Sequence, residues 1–422
     1  MCMSPSYYRR DQLQGSDFSP NGEERQYNPT PWLLSIFTTQ KAPFVRIPMV
    51  TLARRNLFHD KVRFMATLMG IIFSVVLATI QLGLFVGFTT ATANIIAQSQ
   101  ADLWIKSKNV RYLEVGVSFP ESKLYQVLGT PGVASVEKYI VQSSSWKLPN
   151  GAVERVLLIG FTPDGQMGGP WNLVQGRAED LKVADSVIVD ELYRPKLGVT
   201  QLGQHVEIRG HRARVVGFTR GIRIFTTAAP VFTSFKNAQK YAGLPADRTL
   251  YLLVRTAPGV DVYTLKEHIA ARVQEIDVLT TAEWHRMQAF YWMFGTGAGV
   301  TVLIAAMLGL LVGIVVVAQT IYAATVDHIR EYGTLKAMGA SNGYLYCVIL
   351  MQAIISGCIG YGIGMLISVI AATLSQQSTT AIIVPWWLIV SMFGVTLGMC
   401  MAASVISINK VTHLDPAMVF KG

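Results

Sequence analysis

Three long stretches without a charged residue constrain the fold of this chain most strongly. No Asp, Glu, Lys or Arg occurs within residues 64–101, 287–326 or 337–409. A membrane-spanning helix needs about 20 apolar residues to cross a hydrocarbon core of about 30 Å, so the first two stretches can hold one span each and the third can hold two. Only 15% of the 422 residues are charged, whereas soluble domains have about 25%. The sequence therefore predicts a membrane protein with four spanning helices and one soluble insert.

The four spans are predicted near residues 64–90, 297–325, 345–373 and 383–408. The first two charge-free stretches are longer than one crossing requires, and the second would extend about 60 Å as a single helix. We therefore expect the first two helices to continue outside the bilayer as a stalk. An ordinary uncharged loop is the alternative explanation for the excess length.

Basic residues at the ends of the spans predict the orientation. Arg54, Arg55 and Lys61 precede the first span, and cytoplasmic flanks are enriched in Lys and Arg. Four crossings then return the C-terminus to the cytoplasm, where Lys410 and Lys421 lie. This bias also explains the net charge of +10, so we expect no nucleic-acid partner. The predicted surroundings are membrane lipids, with both termini in the cytoplasm.

The chain is thereby divided into ten predicted segments. In order, they are a disordered cytoplasmic tail (1–45), an interfacial amphipathic helix (46–63), the first span with its stalk (64–101), an extracytoplasmic domain (102–286), the second stalk and span (287–326), a charged cytoplasmic segment (327–344), the third span (345–373), a short external loop (374–382), the fourth span (383–408) and a cytoplasmic C-terminus (409–422).

Strand and helix patterns alternate in the external segment, which predicts a mixed α/β domain. The predicted strands are 102–105, 133–144, 153–161, 186–190, 205–209, 213–218, 250–255 and 277–279, and the predicted helices are 121–128, 191–197 and 262–274. The middle of the segment is mostly β, so we expect a split domain with a β-rich sublobe inserted. Core packing is the expected role of Trp146, Trp171 and Trp284, with contact to a partner or an acyl chain as the alternative.

The sequence lacks the residues that several classes of function require. No Gly-x-x-x-x-Gly-Lys-Ser/Thr phosphate loop occurs, so any work derived from ATP must come from a partner chain. The spans contain no charged residue of the kind that marks proton relays, which argues against ion-coupled transport. The external domain contains no cysteine, and its histidines show neither triad nor metal-ligand spacing. We predict no catalytic residue, no metal and no cofactor on this chain.

Two sets of residues stand out as candidates. Gly-xxx-Gly spacing permits close packing of membrane helices, and the candidate packing glycines are Gly83, Gly87, Gly309, Gly313, Gly360, Gly364, Gly394 and Gly398. The second set is a charged island between two charge-free stretches, ended by a glycine and followed by a serine that can cap the next helix. Its candidate residues are Asp327, His328, Arg330, Glu331, Tyr332, Gly333, Leu335, Lys336, Met338, Gly339 and Ser341.

The four spans with a large external insert after the first, together with the charged segment, resemble the FtsX and MacB type of ABC permease. Three further stretches resemble its DevC-like branch. They are Gln319-Thr320-Ile321-Tyr322 followed by Val326-Asp327-His328 and then Glu331-Tyr332; Gln81-Leu82-Gly83; and Asp415-Pro416-Ala417-Met418-Val419-Phe420-Lys421. The resemblance implies a non-catalytic permease subunit whose coupling element is Asp327 to Ser341. It also implies a homodimer, a separate ABC ATPase that binds ATP and Mg, a periplasmic membrane-fusion adaptor and an outer-membrane channel. In such permeases the ATPase pushes the coupling element and the stalk carries that motion outward, which is called mechanotransmission.

The resemblance implies a permease of the inner membrane, and we predict the first of three functions that it leaves open. The first is export of a lipophilic or glycolipid-like substrate. An FtsX-like signalling module that activates a periplasmic partner is the second, and a lipoprotein-extraction permease is the third.

Overall fold

The computed structural model describes residues 61–224, 228–327, 333–334, 338, 341–378 and 382–412. The predicted cytoplasmic tail, most of the predicted interfacial helix and the motif at 415–421 lie outside these residues. The nine α-helices in the described ranges are α1 (Lys61–Ala97), α2 (Ser122–Leu128), α3 (Arg194–Leu197), α4 (Phe235–Ala242), α5 (Val262–Arg272), α6 (Thr281–Phe290), α7 (Ala298–Asp327), α8 (Asn342–Ser375) and α9 (Trp386–Thr412).

Four of these helices are long and apolar enough to cross a membrane. They are α1, α7, α8 and α9, which confirms the predicted number of spans and their order around one large insert. Each is apolar on all sides, as expected of a helix surrounded by lipid and by other helices. α1 packs against α7 and α8, and α9 packs against α7 and α8, so the four form one bundle.

The insert between α1 and α7 is a mixed α/β domain, as predicted. Its strands are β1 (Leu103–Ser107), β2 (Phe119–Pro120), β3 (Val133–Lys147), β4 (Val153–Phe161), β5 (Leu173–Gln175), β6 (Ser186–Asp190), β7 (His205–Ile208), β8 (His211–Thr219), β9 (Ala229–Ser234), β10 (Arg248–Thr249), β11 (Tyr251–Thr256) and β12 (Ile276–Thr280). Ten of them form one sheet in the order β12-β1-β11-β3-β4-β9-β6-β8-β5, with β7 paired to β3 and β8, and β2 pairs with β10 separately.

The long strand β3 belongs to both lobes of this domain. Residues Val133 to Tyr139 pair with β11 in the α/β lobe, and Ile140 to Lys147 pair with β4 in the β-rich lobe. The first lobe packs one face of β1 and β11 against Leu265 and Ile269 of α5. Because one strand runs through both lobes, they are joined by a continuous hydrogen-bonded ladder rather than by a linker.

Core packing of two tryptophans is confirmed. Trp146 and Trp284 are fully buried, and the Trp146 indole N–H donates a hydrogen bond to the Leu197 carbonyl (3.1 Å). Trp171 is partly buried and meets the Phe232 ring edge-on, with 5.6 Å between centroids.

The second stalk departs from a single continuous helix. α6 begins at Thr281, inside the segment assigned to the external domain, and a π-helical turn follows at Tyr291–Gly295. Gly297 then adopts a left-handed backbone conformation (φ +76°) before α7 begins at Ala298. An L-residue with a side chain disfavours that conformation, so the glycine allows the chain to break here between two helices.

Candidate functional site

The structure contains the two ends of the predicted coupling segment. Asp327 is the last residue of α7, and Ser341 caps α8, as predicted, by accepting a hydrogen bond from the Tyr344 N–H through its side chain (3.3 Å). Gly333 and Met338 are described, and the Met338 side chain is 64% exposed. The other candidate coupling residues, His328, Arg330, Glu331, Tyr332, Leu335, Lys336 and Gly339, lie outside the described residues. Along the chain, the segment therefore lies between the end of α7 and the start of α8.

Four of the candidate glycines lie where helices approach closely. A Cβ built on Gly309 would lie 2.8 Å from a Leu77 methyl group, and one on Gly313 would lie 2.5 Å from the Ser74 Cβ. On α8, a Cβ on Gly360 would lie 2.6 Å from Ile71, and one on Gly364 would lie 3.0 Å from Val75. α1 is thus packed tightly between α7 and α8, so displacement of either helix acts on α1.

The pair on α9 requires a correction. A Cβ on Gly394 or Gly398 would meet no atom within 4 Å among the described residues. These two glycines face away from the bundle, so they do not mediate packing between the helices that the structure describes. Spacing alone could not distinguish them from the pair on α7, because it does not reveal which side of a helix faces the bundle. Gly87 is buried in α1.

Gly83 marks the outer end of the bundle. Its carbonyl accepts a hydrogen bond from the Ile383 N–H (3.1 Å), in the loop that joins α8 to α9. The part of α1 from Lys61 to Gly83 is about 33 Å long, which matches one membrane crossing, and the part from Gly83 to Ala97 adds about 21 Å. The excess length of the first charge-free stretch is therefore helical and extends past the α8–α9 loop. Exposed Trp386 and Trp387 at the start of α9 fit an aromatic belt at the same level.

Both stalk helices enter the external domain at one joint. The Thr281 N–H at the start of α6 donates to the Asp102 carbonyl (3.1 Å), just beyond the end of α1, and the Thr281 hydroxyl donates to the Ala101 carbonyl. A capping box fixes the start of α6, because Thr280 and Glu283 each accept a hydrogen bond from the other's backbone N–H. Glu283 also pairs with Lys266 of α5 (2.7 Å). The joint ties α1 and α6 to the sheet and to α5.

A buried glutamine joins the two stalk helices between this joint and the membrane. Gln288 of α6 donates through Nε2 to the Thr92 carbonyl of α1 (3.2 Å) and to the Glu114 carboxylate (3.1 Å). Its Oε1 accepts from the Leu113 N–H (2.8 Å). One side chain therefore connects α1, α6 and the loop that follows β1. We call Gln288, Glu114, Leu113 and Thr92 the stalk node.

Glu114 is the titratable member of the stalk node. Burial raises the pKa of its carboxyl above the ordinary value, and hydrogen bonds from Gln288 and Trp292 partly oppose that shift. Tyr112 stacks on Tyr291 of the π-helical turn, with ring centroids 4.4 Å apart and planes at 11°. Desolvation and the neighbouring Tyr291 raise the pKa of the Tyr112 phenol. The node thus continues through stacked rings into the break before α7.

Sequence reasoning missed the stalk node and the joint. Gln288 lies in a charge-free stretch, where nothing in the sequence distinguishes its amide from other polar side chains. Glu114 lies in a loop without a motif. The residues that meet are separated by 174 to 196 positions, so no local pattern could pair them. In the parts of the chain that the structure describes, no group of three or more His, Cys, Asp or Glu residues could hold a metal ion.

Comparison with protein-family models gives two matches along this chain. Residues 64–272 match the MacB-like periplasmic core domain, and residues 287–416 match the FtsX-like permease C-terminal domain. The two matches divide where the external domain ends and the second stalk helix leads to α7. They bear out the predicted resemblance to permeases of the FtsX and MacB type.

Similar proteins include two uncharacterized ABC transporter permeases of Mycobacterium tuberculosis (strain ATCC 25618 / H37Rv). One is 21% identical over 379 residues, which cover 89% of this chain and 100% of the relative. The other is 20% identical over 359 residues, which cover 84% of this chain and 93% of the relative.

Two solved structures with some similarity are external regions of transporters. The periplasmic region of MacB from Actinobacillus actinomycetemcomitans is 15% identical (TM-score 0.35), covering 45% of this chain and 92% of that one. The extracellular domain of the noncanonic ABC-type transporter YknZ from Gram-positive bacteria is 17% identical (TM-score 0.33), covering 42% and 98%.

Proposed function

Since this chain is a multi-pass ABC transporter permease of the FtsX and MacB type, we propose that it transmits the ATP-driven motion of a separate ATPase subunit to its external domain. The coupling segment between Asp327 and Ser341 receives the motion on the cytoplasmic side of the inner membrane. ATP and Mg are bound by the partner, because this chain has no phosphate loop.

One observation supports the proposal: a series of packing contacts and hydrogen bonds runs from α7, which ends at Asp327, to the external sheet. α7 packs against α1 where a Cβ on Gly70 would lie 2.5 Å from Val316, and again at Gly313 and Gly309. α1 continues past Gly83 as a stalk, and the stalk node joins it to α6. Close-packed contacts of this kind transmit displacement because a packed interior is not continuously deformable. Motion of the inner ends of α7 and α8 is therefore expected to move the external domain.

The cargo and the outer partners belong to the same proposal. We propose export of a lipophilic or glycolipid-like substrate by a homodimer of this chain, with a periplasmic adaptor and an outer-membrane channel. The resemblance of Gln319 to Tyr332 to the DevC-like branch supports this choice.

Charge reversal in the coupling segment tests the proposal. The chain is co-purified with its ATPase subunit, and ATPase activity is compared between wild type and the double variant Glu331→Lys with Lys336→Glu. We expect the activity of the complex, or its co-purification, to be lost. The control reverses an exposed ion pair of the external domain, Lys147→Glu with Glu207→Lys, whose charged atoms lie 2.9 Å apart. Undiminished ATPase activity in the coupling-segment variant contradicts the proposal.

A further inference from the structure

The external domain touches the membrane bundle at a second place, away from the stalk. The Arg223 guanidinium donates through Nε to the Ser378 carbonyl (3.2 Å) and through Nη2 to the Gln376 carbonyl. Both carbonyls lie just after the C-terminal end of α8. The Gln376 carbonyl belongs to the residue that caps the C-terminus of α8, where the helix dipole places partial negative charge. The planar guanidinium can donate to two carbonyls at once.

The backbone that carries Arg223 is held in place by a buried carboxylate. Asp190, at the end of β6, accepts hydrogen bonds from the Thr219 hydroxyl (2.9 Å) and from the Ile222 N–H (2.8 Å). Ile222 and Ile224, on either side of Arg223, are buried in the core of the domain. The arginine therefore projects from a fixed part of the β-rich lobe, not from a free loop.

The receiving loop is fixed on its other side by the bundle. The Ile382 N–H donates to the Ser375 hydroxyl (3.0 Å), and the Ile383 N–H donates to the Gly83 carbonyl of α1. A Cβ on Gly83 would lie 2.7 Å from Ile382, so the loop lies close against α1. The α8–α9 loop is consequently held between α1 and the external domain.

α8 is one uninterrupted helix from its Ser341 cap to Ser375. We propose that Arg223 is a latch that fastens the β-rich lobe to the outer end of α8, so that α8 forms a second route from the coupling segment to the external domain. The latch itself rests on the contacts of Arg223, and only its part in transmission rests on the proposed function.

Hydrogen exchange followed by mass spectrometry tests the latch in the full-length chain, without an ATPase. In Arg223→Ala we expect peptides covering residues 374–378 and 382–385 to exchange about tenfold faster, because a hydrogen bond to a charged donor restrains their opening. Arg223→Lys keeps the charge but not the two-pronged donor, so an intermediate acceleration is expected. Arg220→Ala is the matched control, because Arg220 pairs with Glu191 inside the domain (2.8 Å).

The exchange results test the Arg223 latch independently of the proposed transmission function. Faster exchange confined to the α8–α9 loop and to the backbone next to residue 223 supports the latch, even where the charge reversal in the coupling segment has no effect. Equal exchange in Arg223→Ala and Arg220→Ala overturns it. Faster exchange throughout the external domain also overturns it, because the arginine then stabilises the fold of the domain instead of a contact with the bundle.

Discussion

Gln288 of α6 donates a hydrogen bond to the Thr92 carbonyl of α1 (3.2 Å), and so connects the two stalk helices through a fully buried side chain. The oxygen of its amide also forms a hydrogen bond, since Oε1 accepts from the Leu113 N–H (2.8 Å). A buried amide with partners on three segments permits one relative position of those segments. The stalk is thereby fixed in register between the membrane and the external domain.

Replacing this glutamine by leucine is expected to loosen the stalk. Gln288→Leu has a similar size but leaves the buried Leu113 N–H without its acceptor, which costs about 1–3 kcal/mol of stability. Thermal unfolding of the full chain in detergent measures the loss. Gln274→Leu, at an exposed position after α5, is the matched control, and equal unfolding temperatures of the two variants would contradict the role of Gln288.

The pH dependence of stability is expected to include a contribution from Glu114. Burial raises the pKa of its carboxyl above the ordinary value of 4.5, so the folded state binds the proton more tightly than the unfolded state. Its contribution to stability is therefore complete below pH 4.5 and is lost as the pH rises through the raised pKa.

Glu114→Gln keeps the shape and the acceptor oxygen, and it removes this titration. We expect the stability of wild type relative to Glu114→Gln to fall as the pH rises above 4.5, and the variant to be the more stable protein at neutral pH. Unfolding temperatures of both proteins at several pH values measure the difference, in which other titrating groups cancel. Glu267→Gln, on the exposed side of α5, controls for the loss of one carboxylate. If the stability of wild type relative to Glu114→Gln rose with pH, the raised pKa of Glu114 would be refuted.

Close helix packing predicts that replacing two glycines by alanine affects stability differently. In Gly313→Ala the new methyl group would lie 2.5 Å from the Ser74 Cβ and 2.8 Å from the Met399 sulfur, so α7 must move away from α1 and α9. The expected cost is about 1–3 kcal/mol. Gly398→Ala places the same methyl group in open space and is expected to leave the unfolding temperature unchanged; a larger loss in Gly398→Ala than in Gly313→Ala would be inconsistent with the packing.

In an ion pair of the α/β lobe, we expect removal of one partner to cost more stability than removal of the other. The Lys106 side chain is 4% exposed and its ammonium lies 2.6 Å from Asp277, which is 39% exposed; it also lies over the Trp284 ring (5.4 Å). Asp277→Asn leaves a buried positive charge without its counter-ion, at an expected cost of about 2 kcal/mol. Lys106→Met removes the charge and keeps an apolar side chain of similar length, so it is expected to cost less. Unfolding temperatures that rank the two variants in the reverse order would contradict this account.

Much of the fold could be predicted from local patterns. The bounds of β4 and β6 coincide with the predicted strands at 153–161 and 186–190, because turn-forming residues flank compact apolar runs. By contrast, β9 and α4 were not predicted. β9 lies between β4 and β6 and is almost wholly buried, so its sequence shows no alternation, and Pro230 argues against a central strand. Parallel pairing with β4 stabilises it and is not visible in the sequence.

The sequence by itself determined the four spans, the external domain, and the position of the charged segment between α7 and α8. It could do so because hydrocarbon excludes charge, and the cost of burying a charge is visible residue by residue. Only the tertiary structure decided which glycines face a neighbouring helix, where the second stalk breaks, and that Gln288 and Arg223 join the domain to the bundle. The glycine packing and the two hydrogen bonds depend on contacts between residues more than 100 positions apart, and a hydrogen bond needs both partners within about 3 Å in a fixed orientation.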